Sequence, residues 1–256
     1  MNKYINTRDW SALQKDFLSA KPFNHVVIDN FFTQEVLVEL VKEFPTYDSS
    51  VWGAVYNNAI ENKKACNSWS SFPKTTYSTF NYLCSSEIEQ IISEITGTPN
   101  IQADIGLHGG GWHIHNKGGK LNIHLDYSIH PKLGLERHYN LIIYLTPDWQ
   151  QHWGGGLELW NEESGKPKEC IKYVENIFNR AVLFDTTQQS WHGLPKEISC
   201  PEDIARQSLA IYYMTEPSIT ADIRNRALFA PYKEQATDKE VLDLIIERNK
   251  DTRWIK

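Results

Sequence analysis

The chain has 256 residues, enough for one well-filled domain with a large core. Hydrophobic residues make up 41% and charged residues 23%, and the net charge of -6 argues against a chain-wide basic surface for nucleic acid. Apolar runs are short, LIIYL at 141–145 among the longest, so no membrane span is expected.

The start, MNKYINTRDW, carries no apolar signal segment, and Cys66, Cys84, Cys170 and Cys200 form no CxxC pair or dense framework. Reduced thiols in a cytoplasmic protein are the expectation.

In chain order, residues 8–19 read as a short helix. The VVI of KPFNHVVIDNFF reads as a strand between Pro22 and Asn30. Thr33 is a fitting N-cap for a helix carrying Leu37, Leu40, Val41 and Phe44, which Pro45 ends. Residues 46–75 are polar and irregular, and suggest a lid or surface insertion. A further helix is expected over 86–95. From 101 to 214 the texture changes to strand after strand, clearest at 121–127, 139–146, 156–160, 181–185 and 207–213. Closely spaced strands without intervening helices predict a mainly β chain built on an antiparallel sandwich or jelly roll. The stretch 236–250 reads as a helix with Val241, Leu244 and Ile245 on one side. One domain is expected over 1–256: a helical and irregular N-terminal region over residues 1–100, a core from about 101 to 214, and an extension over 215–256.

The strand LNIHLDY carries the chemistry. Its alternation sets Ile123, Leu125 and Tyr127 on one side and His124 with Asp126 on the other, about 7 Å apart. A second histidine, His192, lies downstream in SWHGLP. If the strands of a jelly roll bring it alongside, two imidazoles and one carboxylate converge. Such a facial set suits Fe(II) and leaves positions open for a chelating 2-oxo acid and dioxygen. The same residues could hold zinc, so the ligand types alone do not decide the metal.

Arg206 and Ser208 share a face of the strand RQSLAIYY, and Tyr144 stands on the LIIYL strand. A guanidinium fork with two hydroxyls makes a receptor for the distal carboxylate of a 2-oxo diacid. His113 and His115 are candidates for the cavity mouth, and Asn122 and Asn140 for groups behind the ligands. Leu125 and Ile142 read as packing residues and Trp191 as a buttress to His192. The run Gly154–Gly156 permits a tight turn, with no helix start after it to suggest phosphate binding.

The segments GGGWHIHNKGGKLNIHLDYSIHP, LERHYNLIIYLTPDWQQHWGGGLELW, FDTTQQSWHGLP and RQSLAIYYM, in this order, resemble the prolyl-4-hydroxylase-like branch of the 2-oxoglutarate/Fe(II) dioxygenases. PFNHVVIDNFF looks like the opening strand of such proteins. The resemblance implies a double-stranded β-helix, a cupin-like jelly roll, with flanking α-helices. It implies His124, Asp126 and His192 as iron ligands, with Arg206, Ser208 and Tyr144 at the 2-oxoglutarate carboxylate. Fe(II), 2-oxoglutarate and dioxygen would be the cofactor and co-substrates, and succinate and carbon dioxide the co-products. Related halogenases lack the carboxylate ligand, so Asp126 favours hydroxylation; desaturation or cyclisation would use the same ligands.

The expected substrate is a small molecule or amino-acid derivative, with a prolyl residue of a peptide or protein as the second choice. The acidic charge disfavours nucleic acid. Outside this chemistry stand a metal-dependent hydrolase and a vestigial binding jelly roll. Oligomeric state is not readable from the sequence.

Overall fold

The computed structural model describes residues 2–187 and 189–250. Met1, residues 251–256 and Gln188 of the SWHGLP-containing motif lie outside them, so the two ends of the expected 1–256 domain do too.

The chain opens with α1 (Leu13–Ser19), β1 (His25–Ile28) and α2 (Gln34–Glu43). A hairpin of β2 (Ala54–Asn57) and β3 (Glu61–Cys66) follows, then α3 (Lys74–Leu83) and α4 (Ser86–Thr96). Next come β4 (Gln102–Ala103), β5 (Gly111–His115), β6 (Lys120–Leu125), β7 (Glu136–Tyr144), β8 (Leu157–Glu163) and β9 (Lys166–Val174). The last elements are β10 (Ala181–Asp185), β11 (His192–Leu194), β12 (Arg206–Thr215), β13 (Leu228–Phe229) and α5 (Lys239–Lys250). Among the described residues no helix is long and apolar enough to cross a membrane.

The strands join in the order β1-β10-β7-β12-β5-β3-β6-β11-β8-β9, every pair antiparallel. This is the nearly closed jelly roll expected from the strand spacing. β3 is the hinge between its two halves: Glu61 and Asn62 pair with β6, and Lys64 to Cys66 pair with β5. The irregular stretch 46–75 thus contains a strand that holds the barrel together.

Strand alternation divides the sheet into an inner and an outer face. Trp112, Ile114, Leu141, Ile143, Leu209, Ile211 and Tyr213 point outward and are buried under α1 to α4, against Phe17, Leu40, Phe80 and Ile92. The residues between them, among them His113, His115, Asn140, Ser208 and Tyr212, line a cavity instead. One face therefore supplies the core and the other the site. α4 has Ile88, Ile91, Ile92 and Ile95 on its buried side and ends at Gly97, whose φ of 74° closes the helix in the left-handed region.

Gly111 is required where β5 passes β3. Its φ is 90°, and a Cβ there would stand 2.1 Å from the Cys66 carbonyl oxygen. Gly111→Ala adds backbone strain to a backbone clash and is expected to cost ~2–5 kcal/mol. Thermal unfolding checks it: the melting temperature should drop by at least about 5 °C, and an unchanged value would show that β3 and β5 can separate freely.

Candidate active site

β6 and β11 pair so that His124 lies directly opposite His192. Asp126 follows just beyond β6 on the same side as His124. One donor atom from each of the three lies within 4.8 Å of the others, and all three residues are buried. His124 Nε2 is 3.6 Å from Asp126 Oδ1, and His192 Nε2 is 3.8 Å from Asp126 Oδ2.

The tautomers follow from the backbone. His124 Nδ1 donates to the Asn122 carbonyl at 2.9 Å, and His192 Nδ1 donates to the Ser190 carbonyl at 2.8 Å. Each proton is held on Nδ1, so each Nε2 presents a lone pair to Asp126. Asp126 Oδ2 is buried with no hydrogen-bond partner among the described residues. A buried carboxylate oxygen without a donor is costly, and imidazoles tied to carbonyls through Nδ1 leave Nε2 as the atom that can share an ion with it. The donor set therefore fits a cation. Asp126 is held well below the usual carboxylate range: burial opposes this, but its neighbours His124, His192 and Arg137 prevail. Burial pushes His192 down to about 4.

Surrounding elements fix the ligands. Phe229 on β13 lies opposite His124 and stacks on its ring at 5.3 Å. Phe184 meets the edge of His192 at 4.8 Å. Trp191 packs with Ile123 and Leu125 behind the strand, as a buttress should. Asn122 supplies its carbonyl to His124, while its side chain donates to Ala230 and Gln235 of the C-terminal segment. Arg224 Nε donates to the Asp126 carbonyl at 3.1 Å.

Arg137 was not legible in the sequence. Its guanidinium lies between the rings of Tyr127 and Tyr212, at 3.6 and 3.4 Å, and donates to the His108 carbonyl and the Tyr127 hydroxyl. Its Nη1 reaches Asp126 Oδ1 at 4.0 Å. The residues that clamp it come from distant stretches of the chain, so no local pattern marks it.

Away from the three donors, Arg206 is 2% exposed. Its Nε donates to the Gly155 carbonyl at 2.6 Å, and Nη1 to Ser208 Oγ at 3.3 Å. Gly155 is needed for this approach, since its φ is 77° and a Cβ would stand 3.1 Å from Arg206 Cδ. Tyr144 is paired with Ser208 in register, and Arg206 Cζ lies 4.9 Å from its ring. The Tyr144 hydroxyl is buried without a hydrogen-bond partner among the described residues. A fixed guanidinium, a hydroxyl beside it and a second, unpartnered hydroxyl form a receptor for a carboxylate.

A cavity of about 390 Å³ is lined at once by His124, Asp126 and His192, and by Arg206 and Ser208. His113 and His115 also line it, so they stand inside the cavity and not only at its mouth. Ile142 contributes an apolar patch of wall. Asn140 lines the cavity with its Oδ1 unpartnered among the described residues.

Burial pushes His113 down to about 3 and His115 well below its ordinary value, and Lys63 and Arg206 press both the same way. Both imidazoles are neutral when folded, yet bind protons near pH 6.5 when unfolded. Their effect is absent above that pH and costs stability as pH falls through it. Each should cost about 1.4 kcal/mol by pH 5.5. The melting temperature of the metal-free protein should therefore fall between pH 7.5 and 5.5, and a flat profile would contradict burial of these rings.

The family model for the 2OG-Fe(II) oxygenase superfamily matches residues 110–214. A prolyl 3-hydroxylase, OGFOD1 of Mus musculus, is 31% identical over 85 residues, which is 33% of this chain and 15% of that protein. The chain thus spans a small share of the curated relatives it matches. A prolyl hydroxylase from Trichoplax adhaerens, solved with a hypoxia inducible factor peptide, aligns with a TM-score of 0.55 at 20% identity. That alignment covers 80% of this chain and 88% of the other. A Pseudomonas putida prolyl-4-hydroxylase aligns with a TM-score of 0.57 at 16% identity, over 82% of this chain and 100% of its own. These structures share the fold, and the match over 110–214 contains His124, Asp126, His192 and Arg206. Residues 110–214, which hold these four side chains, are the part of the chain that matches the 2OG-Fe(II) oxygenase superfamily.

Proposed function

We propose that this protein uses Fe(II), 2-oxoglutarate and dioxygen to hydroxylate a C–H bond of an organic substrate, releasing succinate and carbon dioxide. His124, Asp126 and His192 are the assigned iron ligands. Arg206, Ser208 and Tyr144 are assigned to the distal carboxylate of 2-oxoglutarate. The observation that carries this reading is the joining of two receptors in one cavity: three donor atoms within 4.8 Å of one another, and a buried arginine flanked by hydroxyls. A hydrolytic metal site has no need of the second receptor.

Iron supplies the redox chemistry that couples decarboxylation of the 2-oxo acid to oxidation of the substrate. The chain's own residues do the positioning. The Asn122 and Ser190 carbonyls keep both ligand imidazoles in the binding tautomer. Arg206 and Ser208 hold the far end of the 2-oxo acid, which fixes how its near end meets the metal. The inner walls exclude bulk water from the reacting carbon.

The preferred substrate class is a small molecule or amino-acid derivative, which suits the size of the cavity. Hydroxylation of a prolyl residue in a peptide is the second reading, favoured by the prolyl hydroxylases among the relatives and structural neighbours. The test is turnover. Protein purified without oxygen is given Fe(II), 2-oxoglutarate and air with metabolite, amino-acid and proline-peptide pools, and succinate is read beside substrate mass. Succinate formed in step with an added oxygen atom is expected. Failure of the iron-loaded protein to bind 2-oxoglutarate would remove the reading.

A further inference from the structure

The cavity wall carries more positive charge than the metal and co-substrate of the proposed reaction use. Lys63, Arg137, Arg206 and Arg248 line it, against the carboxylates of Glu61 and Asp126. Ferrous iron and 2-oxoglutarate bring equal and opposite charges. A loaded cavity therefore keeps two positive charges, inside a chain whose net charge is -6. In a medium less polarisable than water, an unpaired charge attracts an anion more strongly than it would at the open surface.

The placement of one of these cations is specific. Glu61 is 4% exposed and is already met by two cations, Lys63 Nζ at 3.1 Å and Arg248 Nη2 at 3.0 Å. That trio has one positive charge left over. The β3–β5 register pairs Lys64 with Ile114 and Ala65 with His113, and Lys63, the residue before Lys64, is close enough to press electrostatically on both His113 and His115. His115 in turn pairs with Arg206. His115 on β5 thus has a cation on each neighbouring strand, Lys63 on β3 and Arg206 on β12. Arg206 is taken up by the 2-oxo acid; Lys63 is not. The two ring nitrogens of His115 and Nε2 of His113 are buried without partners among the described residues, so neutral donors stand beside that cation.

We infer that the organic substrate is a carboxylate, received by Lys63 with His115 and His113. The inference rests on the proposed function and narrows it to acids: a free or N-acylated amino acid, or the free C-terminus of a short peptide.

The test uses the full chain loaded with Fe(II) and 2-oxoglutarate under nitrogen. Equilibrium dialysis read by mass spectrometry compares matched probes: the common L-amino acids, their N-acetyl forms and short peptides, each as free acid and as C-terminal amide. At least one acid should bind tenfold or more tightly than its amide. Lys63→Met should abolish that preference and Lys63→Arg should keep it, with 2-oxoglutarate affinity within threefold of the parent in both. Retention of single amino acids points to a free small-molecule substrate, and retention of peptides alone to a C-terminus; either supports the carboxylate. Amides binding as tightly as acids, no probe retained, or a preference that survives Lys63→Met would overturn it. Loss of 2-oxoglutarate binding by the parent protein would be the separate failure of the proposed function.

Discussion

Asp126→Ala is expected to abolish 2-oxoglutarate turnover and to weaken Fe(II) binding by more than about 100-fold, a larger loss than changes behind the ligands typically produce. The reason lies in the charge of the assigned set. The two histidines are neutral donors, so Asp126 alone supplies a negative charge to the cation, and its Oδ2 has no other partner among the described residues. The fold should survive the change. Asp126 lies just past the end of β6, outside the strand ladder, and the replaced carboxylate is costly to bury in the metal-free protein. Arg137 loses a partner 4.0 Å away but keeps the His108 carbonyl, the Tyr127 hydroxyl and two stacked rings. Thermal unfolding with and without Fe(II) separates the two effects. A ligand at 100 times its Kd stabilises by about 2.7 kcal/mol. The parent should show that gain and the variant should not, while their metal-free melting temperatures stay close. A variant that still consumes 2-oxoglutarate at ordinary Fe(II) concentrations would remove Asp126 from the assigned ligand set.

The features of this site that local pattern alone reveals are those written in a single strand, whereas His192 and Tyr144 needed the family resemblance. The alternation of LNIHLDY is local, so the common side of His124 and Asp126 is readable, and so is that of Arg206 and Ser208. The stretch 46–75 resisted because β3, ENKKAC, has no apolar face. It turns Glu61 and Lys63 into a polar cavity, so the hydrophobic alternation that marks a half-buried strand is missing. α3 is hidden for another reason. Its sequence KTTYSTFNYL is rich in threonine and serine, poor helix formers, and burial of Thr76, Thr79 and Phe80 holds it in place. Phe229 sits beside His124 only because a two-residue strand returns from outside the matched 110–214 region. No rule of local spacing reaches that far.

Arg206→Met should raise the KM for 2-oxoglutarate at least 30-fold and leave Fe(II) affinity within threefold of the parent. Removing a charge-assisted pair from a buried site costs about 2–4 kcal/mol of binding, which is roughly 30- to 1000-fold. The protein itself should tolerate the change. Arg206 is 2% exposed, so methionine removes a buried charge while filling much of the same space, and such exchanges are often near neutral for stability. One cost remains, because the Gly155 carbonyl loses a donor at 2.6 Å. Arg206→Lys separates charge from shape. The ammonium keeps the attraction but cannot hold Gly155, Ser208 and a carboxylate in one plane, so an intermediate loss of about tenfold is expected. The split between constants is the decisive outcome. The three assigned metal ligands belong to β6, β11 and the segment just after β6, whereas Arg206 opens β12 and touches none of them in the hydrogen-bond pattern. Parallel losses of Fe(II) and 2-oxoglutarate binding would mean that Arg206 supports the barrel as a whole. A KM for 2-oxoglutarate within threefold of the parent would mean that the distal carboxylate is held elsewhere.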